Sequence, residues 1–138
     1  MQERHTDRER YFKELAQTSK EFYIDYLQNF KSVGAGTRVL EIGCGEGGNL
    51  LPLAEAGCSV TGIDLATNKI EHAKEYFGKM NMSGEFISGN FLNMPPREDR
   101  FDIVLIHDVI EHIEPEDKPA FFLGLKKFLK PDGIVFFG

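Results

Sequence analysis

The feature that most constrains the fold is an alternation of short apolar runs with longer amphipathic stretches after residue 36. The apolar runs are typical of buried β-strands, and the stretches between them show the three- and four-residue spacing of helices. Strands that alternate with helices pair in parallel through right-handed crossovers. The pattern therefore predicts an α/β, doubly wound, mostly parallel sheet with helices on both faces. Its expected strands are the segments TRVLEIG, SVTGIDL, GEFISGN, FDIVLIHD and IVFFG.

The order of these segments also predicts where a ligand binds. FDIVLIHD is the most apolar segment, so we expect it to be the central strand. The expected helices are GNLLPLAEAG, which ends at Gly57, TNKIEHAKEYFG, with Thr67 as its N-cap, and KPAFFLGLKKFLK. Ligands bind such sheets at the carboxyl ends of the strands. Every candidate motif lies at such an end, at positions 43–48, 64, 89–91 and 107–112.

An amphipathic segment precedes the alternating region. Between residues 11 and 30 its apolar side chains recur at three-, four- and seven-residue intervals, which predicts one helix or two short ones. Thr6 and Glu9 have the spacing of a capping box at its start, and Gly34 and Gly36 end the pattern. The apolar positions are Phe12, Leu15, Phe22, Tyr26 and Phe30.

Composition narrows the class of protein. The 138 residues suit one domain, and a net charge of −6 argues against a nucleic-acid partner. Cys44 and Cys58 are too few for a disulfide framework, and Cys44, without an adjoining His or Lys, is expected to be a small space-filler. No apolar run approaches the roughly 20 residues of a membrane span, and the N-terminus lacks the apolar core of a signal peptide. We therefore expect a cytoplasmic protein.

The glycine-rich stretch VLEIGCGEGG allows two interpretations. Gly43, Gly45 and Gly48 satisfy the G-x-G-x-x-G spacing of a dinucleotide site, and Asp64 lies about 20 residues on. However, Glu41 and Glu46 would place carboxylates beside the pyrophosphate. A cationic ligand without phosphates fits these charges better. S-adenosylmethionine, with a sulfonium, an ammonium and one carboxylate, is such a ligand.

The same stretch resembles the glycine motif of class I S-adenosylmethionine-dependent methyltransferases of the type 11 and type 12 kind. Glu41, Gly43, Gly45 and Gly47 occupy the expected positions, and the resemblance continues through GIDL, GNFLNMP, FDIVLIHDVIEHI and LKPDGIVFF. It implies a Rossmann-like cofactor-binding core over residues 37–138 and a helical lid over residues 1–36. It also implies that the family's final antiparallel hairpin is missing, so that the chain is truncated at its C-terminus.

The resemblance assigns roles to single residues. Asp64 is expected to accept hydrogen bonds from the ribose hydroxyls, and Leu65 to pack on the adenine. Asn90, where the family often has Asp, is expected at the adenine amine, and the Phe91 backbone N–H at a ring nitrogen. The implied cofactor-binding residues are Glu41, Gly43, Cys44, Gly45, Gly47, Asp64, Leu65, Asn90, Phe91 and His107.

Catalytic and metal roles are implied less directly. His107 is expected beside the methyl group, and His107 and Asp108 are the candidate bases if the acceptor is a poorly acidic hydroxyl. Asp108, Glu111 and His112 resemble part of the divalent-cation cluster of ubiquinone-type O-methyltransferases and small-RNA 2′-O-methyltransferases. A capping or packing role is favoured for them, so no metal is expected.

The resulting prediction is a methyltransferase that acts on a small-molecule acceptor. Two alternatives remain at this point: an NAD-dependent oxidoreductase, which shares the glycine spacing, and a non-catalytic protein that keeps the fold to bind a partner. The apolar segment IVFFG at the end of the chain is also expected to be an exposed edge strand through which two copies can associate.

Overall fold

The computed structural model describes residues 8–28, 31, 33–107 and 109–137. Helices and strands alternate along the chain, as the sequence predicts. The strands are β1 (Arg38–Ile42), β2 (Ser59–Asp64), β3 (Glu85–Ser88), β4 (Phe101–Ile106) and β5 (Leu129–Phe137). The helices are α1 (Arg8–Gln28), α2 (Leu51–Glu55), α3 (Thr67–Lys79) and α4 (Lys118–Phe128).

The five strands form one parallel sheet in the order β3-β2-β1-β4-β5. The α/β, Rossmann-like prediction is therefore confirmed. The prediction that FDIVLIHD is the central strand is wrong, because β1 occupies the middle and β4 lies beside it. A high apolar content indicates that a strand is covered on its two faces, and this is true of β1 as well as β4. Apolar content does not indicate the position of a strand in the strand order of the sheet.

Helices cover both faces of the sheet. On one face, α1, α2 and α3 pack over a core that includes Phe12, Leu53 and Phe77. On the other face, Phe121, Leu125 and Phe128 of α4 close a second core. This arrangement leaves the carboxyl ends of β1, β2 and β4 together at one edge of the sheet.

Two local boundaries differ from the prediction. Ala66, not Thr67, is the N-cap of α3, because Asp64 Oδ1 accepts a hydrogen bond from the Ala66 N–H at 2.8 Å and starts the turn earlier. The segment PDG was expected to end α4, but it lies inside β5. There it forms a bulge, since the pairing with β4 jumps from Leu129 to Ile134.

The N-terminal segment is a single helix, α1, over its described length. Phe12 and Leu27 are buried in the core, and the Phe12 ring lies 4.9 Å from that of Tyr76 on α3. Thr6, Phe30 and the side chain of Phe22 lie outside the described residues. Within the described part of the chain, no helix has the length and apolar character to cross a membrane.

Candidate functional site

The glycine turn after β1 is held in place by backbone hydrogen bonds to β2. The N–H groups of Gly43 and Cys44 both donate to the Ile63 carbonyl, at 2.7 and 3.0 Å. The Gly45 N–H donates to Asp64 Oδ2 at 2.8 Å. The turn is therefore fixed to the end of the neighbouring strand before any ligand binds.

Glycine is required at this turn for two reasons. Gly43, Gly45 and Gly47 have φ values of +77°, +56° and +89°, in the left-handed region. A Cβ at Gly47 would lie 3.2 Å from the rings of Phe77 and Phe86, whereas a Cβ at Gly45 would meet nothing within 4 Å. Gly47 is therefore a packing position, and Gly45 presents its backbone to open space.

Two adjoining cavities lie over this turn, and Gly43, Asp64, Val109 and His112 line both of them. One, of about 340 Å³, is mainly apolar and is bordered by Leu65 and by residues 89–92. The other, of about 530 Å³, is lined by the charged side chains of Glu41, Glu46, Asp64 and Lys69 together with His107. Both volumes lie in the range of ligand pockets, roughly 300–1,000 Å³. The cleft can thus hold a flat apolar group beside a charged one.

Glu41 is the buried charge of the cleft. Its side chain is 1% exposed, and Oε2 accepts a hydrogen bond from Asn49 Nδ2 at 3.0 Å. Burial raises the pKa of this carboxyl, against which hydrogen bonds from His107 and Asn49 act. Oε1 is buried and has no hydrogen-bond partner among the described residues. A cation in the cavity would satisfy it.

The second glutamate of the turn has a different environment from the one assumed in the sequence argument. Oε2 of Glu46 lies 3.0 Å from Nδ1 of His72 on α3, and the same imidazole is contacted by Arg8 of α1. Of the two glutamates, Glu41 is the more deeply buried, so it is the one expected to repel a diphosphate most strongly. His72 was missed in the sequence because nothing local links it to the glycine turn.

The remaining cofactor-site candidates lie around the smaller cavity. Leu65 is 73% exposed at its rim, where its side chain can cover a bound group. Asn90 Oδ1 accepts a hydrogen bond from the Leu92 N–H at 3.0 Å, which caps a short 3-10 turn over Phe91–Asn93. The Phe91 ring is buried against Phe121 and Phe128, so its side chain serves the core.

Cys44 behaves as the space-filler that was expected. Its side chain is 5% exposed, and burial, with the nearby Glu41 and Asp64 carboxylates, raises the pKa of its thiol. The group therefore stays a neutral thiol at physiological pH. A Cβ on Gly62 would lie 2.6 Å from the Cys44 sulfur, which shows how closely the thiol packs on β2.

The three residues that resemble part of a divalent-cation cluster are only partly described by the structure. Asp108 lies outside the described residues. Glu111 and His112 lie on a 3-10 turn over Ile110–His112, with side chains that are 59% and 78% exposed and atoms 3.9 Å apart. Within the described ranges, no group of three or more His, Cys, Asp or Glu side chains could hold a metal ion.

Comparison with known proteins identifies the family. Residues 39–133, well over half of the chain, match the profile of a family described as a methyltransferase domain. The chain belongs to the class I S-adenosylmethionine-dependent methyltransferases. The expectation of S-adenosylmethionine as the cofactor class is confirmed by this membership. The family also accounts for the glycine turn and the cleft at the strand ends.

Individual methyltransferases are similar to this chain over different fractions of its length. A ubiquinone biosynthesis O-methyltransferase of Bartonella bacilliformis is 33% identical over 74% of this chain and 40% of its own length. Phosphoethanolamine N-methyltransferase 3 of Arabidopsis thaliana is 38% identical over 86% of this chain and 23% of its own. The chain thus spans half or less of the length of these relatives.

A solved methyltransferase structure agrees in fold. PKMT2 from Rickettsia typhi, in complex with AdoHcy, superposes with a TM-score of 0.67 and 30% sequence identity. The match covers 72% of this chain and 20% of the other.

Proposed function

We propose that this chain forms the cofactor-binding part of a cytoplasmic methyltransferase that transfers a methyl group from S-adenosylmethionine to a small-molecule acceptor. The observation that carries the proposal is the juxtaposition of a buried carboxylate, Glu41, with an open glycine turn at the carboxyl ends of adjacent strands. A cavity at this position in which three carboxylates face one lysine favours a cationic ligand over a diphosphate.

The two cavities divide the cofactor between them in this proposal. The apolar cavity takes the adenine under Leu65, and Asp64, which lines both cavities, accepts hydrogen bonds from the ribose hydroxyls. The larger cavity takes the amino-acid portion. There, Oε1 of Glu41 meets the ammonium, and the backbone of the glycine turn, which lines this cavity at Gly45 and Gly48, meets the carboxylate. Lys69 lines the same cavity and adds positive charge for that carboxylate.

The protein's contribution to the transfer is positioning. S-adenosylmethionine supplies a methyl group that is activated by its sulfonium. Residues of the cleft orient it for in-line attack, which can supply roughly 7–11 kcal/mol of the barrier reduction. His107 lines the larger cavity, and its imidazole can take a proton from a hydroxyl acceptor. An amine or thiolate acceptor does not need that base.

The acceptor is set by regions other than the matched one. The relatives that match this segment include an enzyme named as an O-methyltransferase and one named as an N-methyltransferase. A segment common to both fits cofactor binding and does not specify the acceptor atom. The net charge of −6 supports a small molecule rather than a nucleic acid. Self-association through the edge strand β5, where Phe137 is half exposed, stays a prediction.

Titration calorimetry of the chain with S-adenosylhomocysteine and, separately, with NAD tests the proposal. We expect saturable binding of S-adenosylhomocysteine and no heat of binding with NAD. The Glu41→Gln variant should bind S-adenosylhomocysteine more weakly and still not bind NAD. Binding of NAD without binding of S-adenosylhomocysteine would overturn the assignment.

A further inference from the structure

A partly buried network of three hydrogen-bonded side chains connects helix α1 to the cleft. Ser19, on the inner face of α1, is 1% exposed, and its hydroxyl donates a hydrogen bond to Oδ1 of Asn49. Asn49, directly after the glycine turn, donates from Nδ2 to Glu41 Oε2 at 3.0 Å. The hydrogen bonds therefore run, from donor to acceptor, from Ser19 through Asn49 to Glu41, and these residues come from three separate parts of the fold.

This hydrogen-bond network fixes the orientation of the Asn49 amide. An ionised carboxylate can only accept hydrogen bonds, so Asn49 must turn Nδ2, and not Oδ1, toward Glu41. The Asn49 oxygen then points at α1, where the Ser19 hydroxyl donates to it. The opposite orientation would place two acceptor oxygens against each other, at an energetic cost. Ser19 thus stabilises the one orientation in which Asn49 serves Glu41.

Holding one oxygen of Glu41 reserves the other for a ligand. Oε2 is engaged by Asn49 and lies 3.3 Å from His107 Nδ1. Oε1 is buried and has no hydrogen-bond partner in the described part of the chain, although Glu41 lines the larger cavity. The other charged groups lining that cavity are Glu46, Asp64 and Lys69.

The contact also depends on where α1 lies. A Cβ on Gly48 would fall 2.8 Å from Leu15 Cδ2, so the helix packs directly against the glycine turn. Tyr11, Phe12 and Leu15 of the same helix line the larger cavity. The Ser19 hydroxyl therefore reaches Asn49 only when α1 lies over the cleft.

We propose that Asn49 and Ser19 are positioning residues, which orient the Glu41 carboxylate for recognition of a ligand ammonium and link that recognition to the docking of α1. The inference rests on the proposed function, because it assigns the ammonium of S-adenosylmethionine or S-adenosylhomocysteine to Glu41. It predicts an effect that is confined to ligands carrying that ammonium.

Two ligands and three variants separate this role from a structural one. S-adenosylhomocysteine carries the ammonium, whereas 5′-methylthioadenosine has the same nucleoside without the amino-acid portion. We expect Asn49→Ala to weaken S-adenosylhomocysteine binding about tenfold or more, and Ser19→Ala about threefold, as measured by calorimetry. Binding of 5′-methylthioadenosine should change less than about twofold in both. Thr18→Ala, which removes an exposed hydroxyl from the same turn of α1, should change neither affinity.

Each outcome has a distinct meaning. Equal weakening of both ligands by Asn49→Ala would overturn the positioning role, since it would show general damage to the cleft. If Asn49→Ala does not fold, the nearly isosteric Ser19→Ala decides, and unchanged S-adenosylhomocysteine binding in Ser19→Ala would refute the link to α1. Failure of the unaltered chain to bind either nucleoside would instead overturn the proposed function, and this inference with it.

Discussion

Nδ1 of His107 lies 3.3 Å from Oε2 of Glu41, so the residue after β4 meets the buried carboxylate of β1. The sheet register explains the contact. Glu41 pairs with Leu105 in the ladder, and two residues later the chain emerges from the sheet beside the same carboxylate. His107, the candidate base, and Glu41, the candidate partner of the ligand ammonium, therefore interact directly. Substitution of either residue is expected to alter the environment of the other.

Replacing Glu41 by Gln should separate stability from ligand binding. Gln removes a buried charge while its side-chain oxygen still accepts from Asn49, so we expect the melting midpoint near neutral pH to rise by about 3 °C. S-adenosylhomocysteine should bind about tenfold more weakly, because the charge that attracts its ammonium is lost. Calorimetry of both unfolding and binding measures the two effects. A variant that binds S-adenosylhomocysteine as tightly as the unaltered chain would contradict the role of Glu41.

The raised pKa of Glu41 predicts opposite pH trends for the two properties. Burial raises this pKa above that of the unfolded chain, so the folded state holds the proton more tightly. The stability from a neutral Glu41 is present below the unfolded value, near pH 4, and is lost as the pH rises through the folded value. The gap in melting midpoint between Glu41→Gln and the unaltered chain should therefore widen as the pH rises through that interval.

Ligand affinity should follow the opposite course. As the pH falls through the raised pKa, Glu41 becomes neutral, and S-adenosylhomocysteine binding should weaken, whereas 5′-methylthioadenosine serves as a control that lacks the ammonium. The same titration in Glu41→Gln should lose the difference between the two ligands. If the affinities of both nucleosides changed equally with pH, the pH dependence would belong to a group other than Glu41.

Gly36, which lies outside the glycine turn, is a matched control for substitution of Gly45 within it. Both have positive φ values, +56° and +86°, and a Cβ at either would meet nothing within 4 Å. Alanine at each position should therefore lower the free energy of unfolding by a similar amount, about 1–2 kcal/mol. Only Gly45 lines the larger cavity, so only Gly45→Ala should also weaken S-adenosylhomocysteine binding. Denaturant titration and calorimetry check the two parts, and equal binding by both variants would remove Gly45 from the site.

Asp64 and Asp102 allow a similar comparison of carboxylates. Asp64 Oδ2 accepts from the Gly45 N–H, and Asp102 Oδ2 accepts from the Arg38 N–H, both at 2.8 Å. We expect Asp64→Asn and Asp102→Asn each to destabilise the fold by about 1–3 kcal/mol. Asp64→Asn should also weaken both nucleosides, because both carry the ribose. Asp102 lies at the opposite end of the sheet, so its variant should bind both nucleosides normally, and a loss there would show that destabilisation alone explains the effect.

The sequence by itself determined the parts of the site that depend on local patterning. Apolar periodicity predicted the five strands, and the glycines at residues 43, 45 and 47 marked the turn after β1, where the structure has positive φ values. Because parallel strands end at one edge, Glu41 and Asp64 could be placed together without a structure.

Only the tertiary structure decided how the charges in the cleft are paired. Glu46 lies against His72, and Ser19 reaches Asn49 across 30 residues of chain. It also placed β1, and not the more apolar β4, at the centre of the sheet. These features arise from the packing of α1 and α3 on the glycine turn and from strand order. Contacts between distant segments leave no local period in the sequence, and both faces of β1 and β4 are covered in the same way.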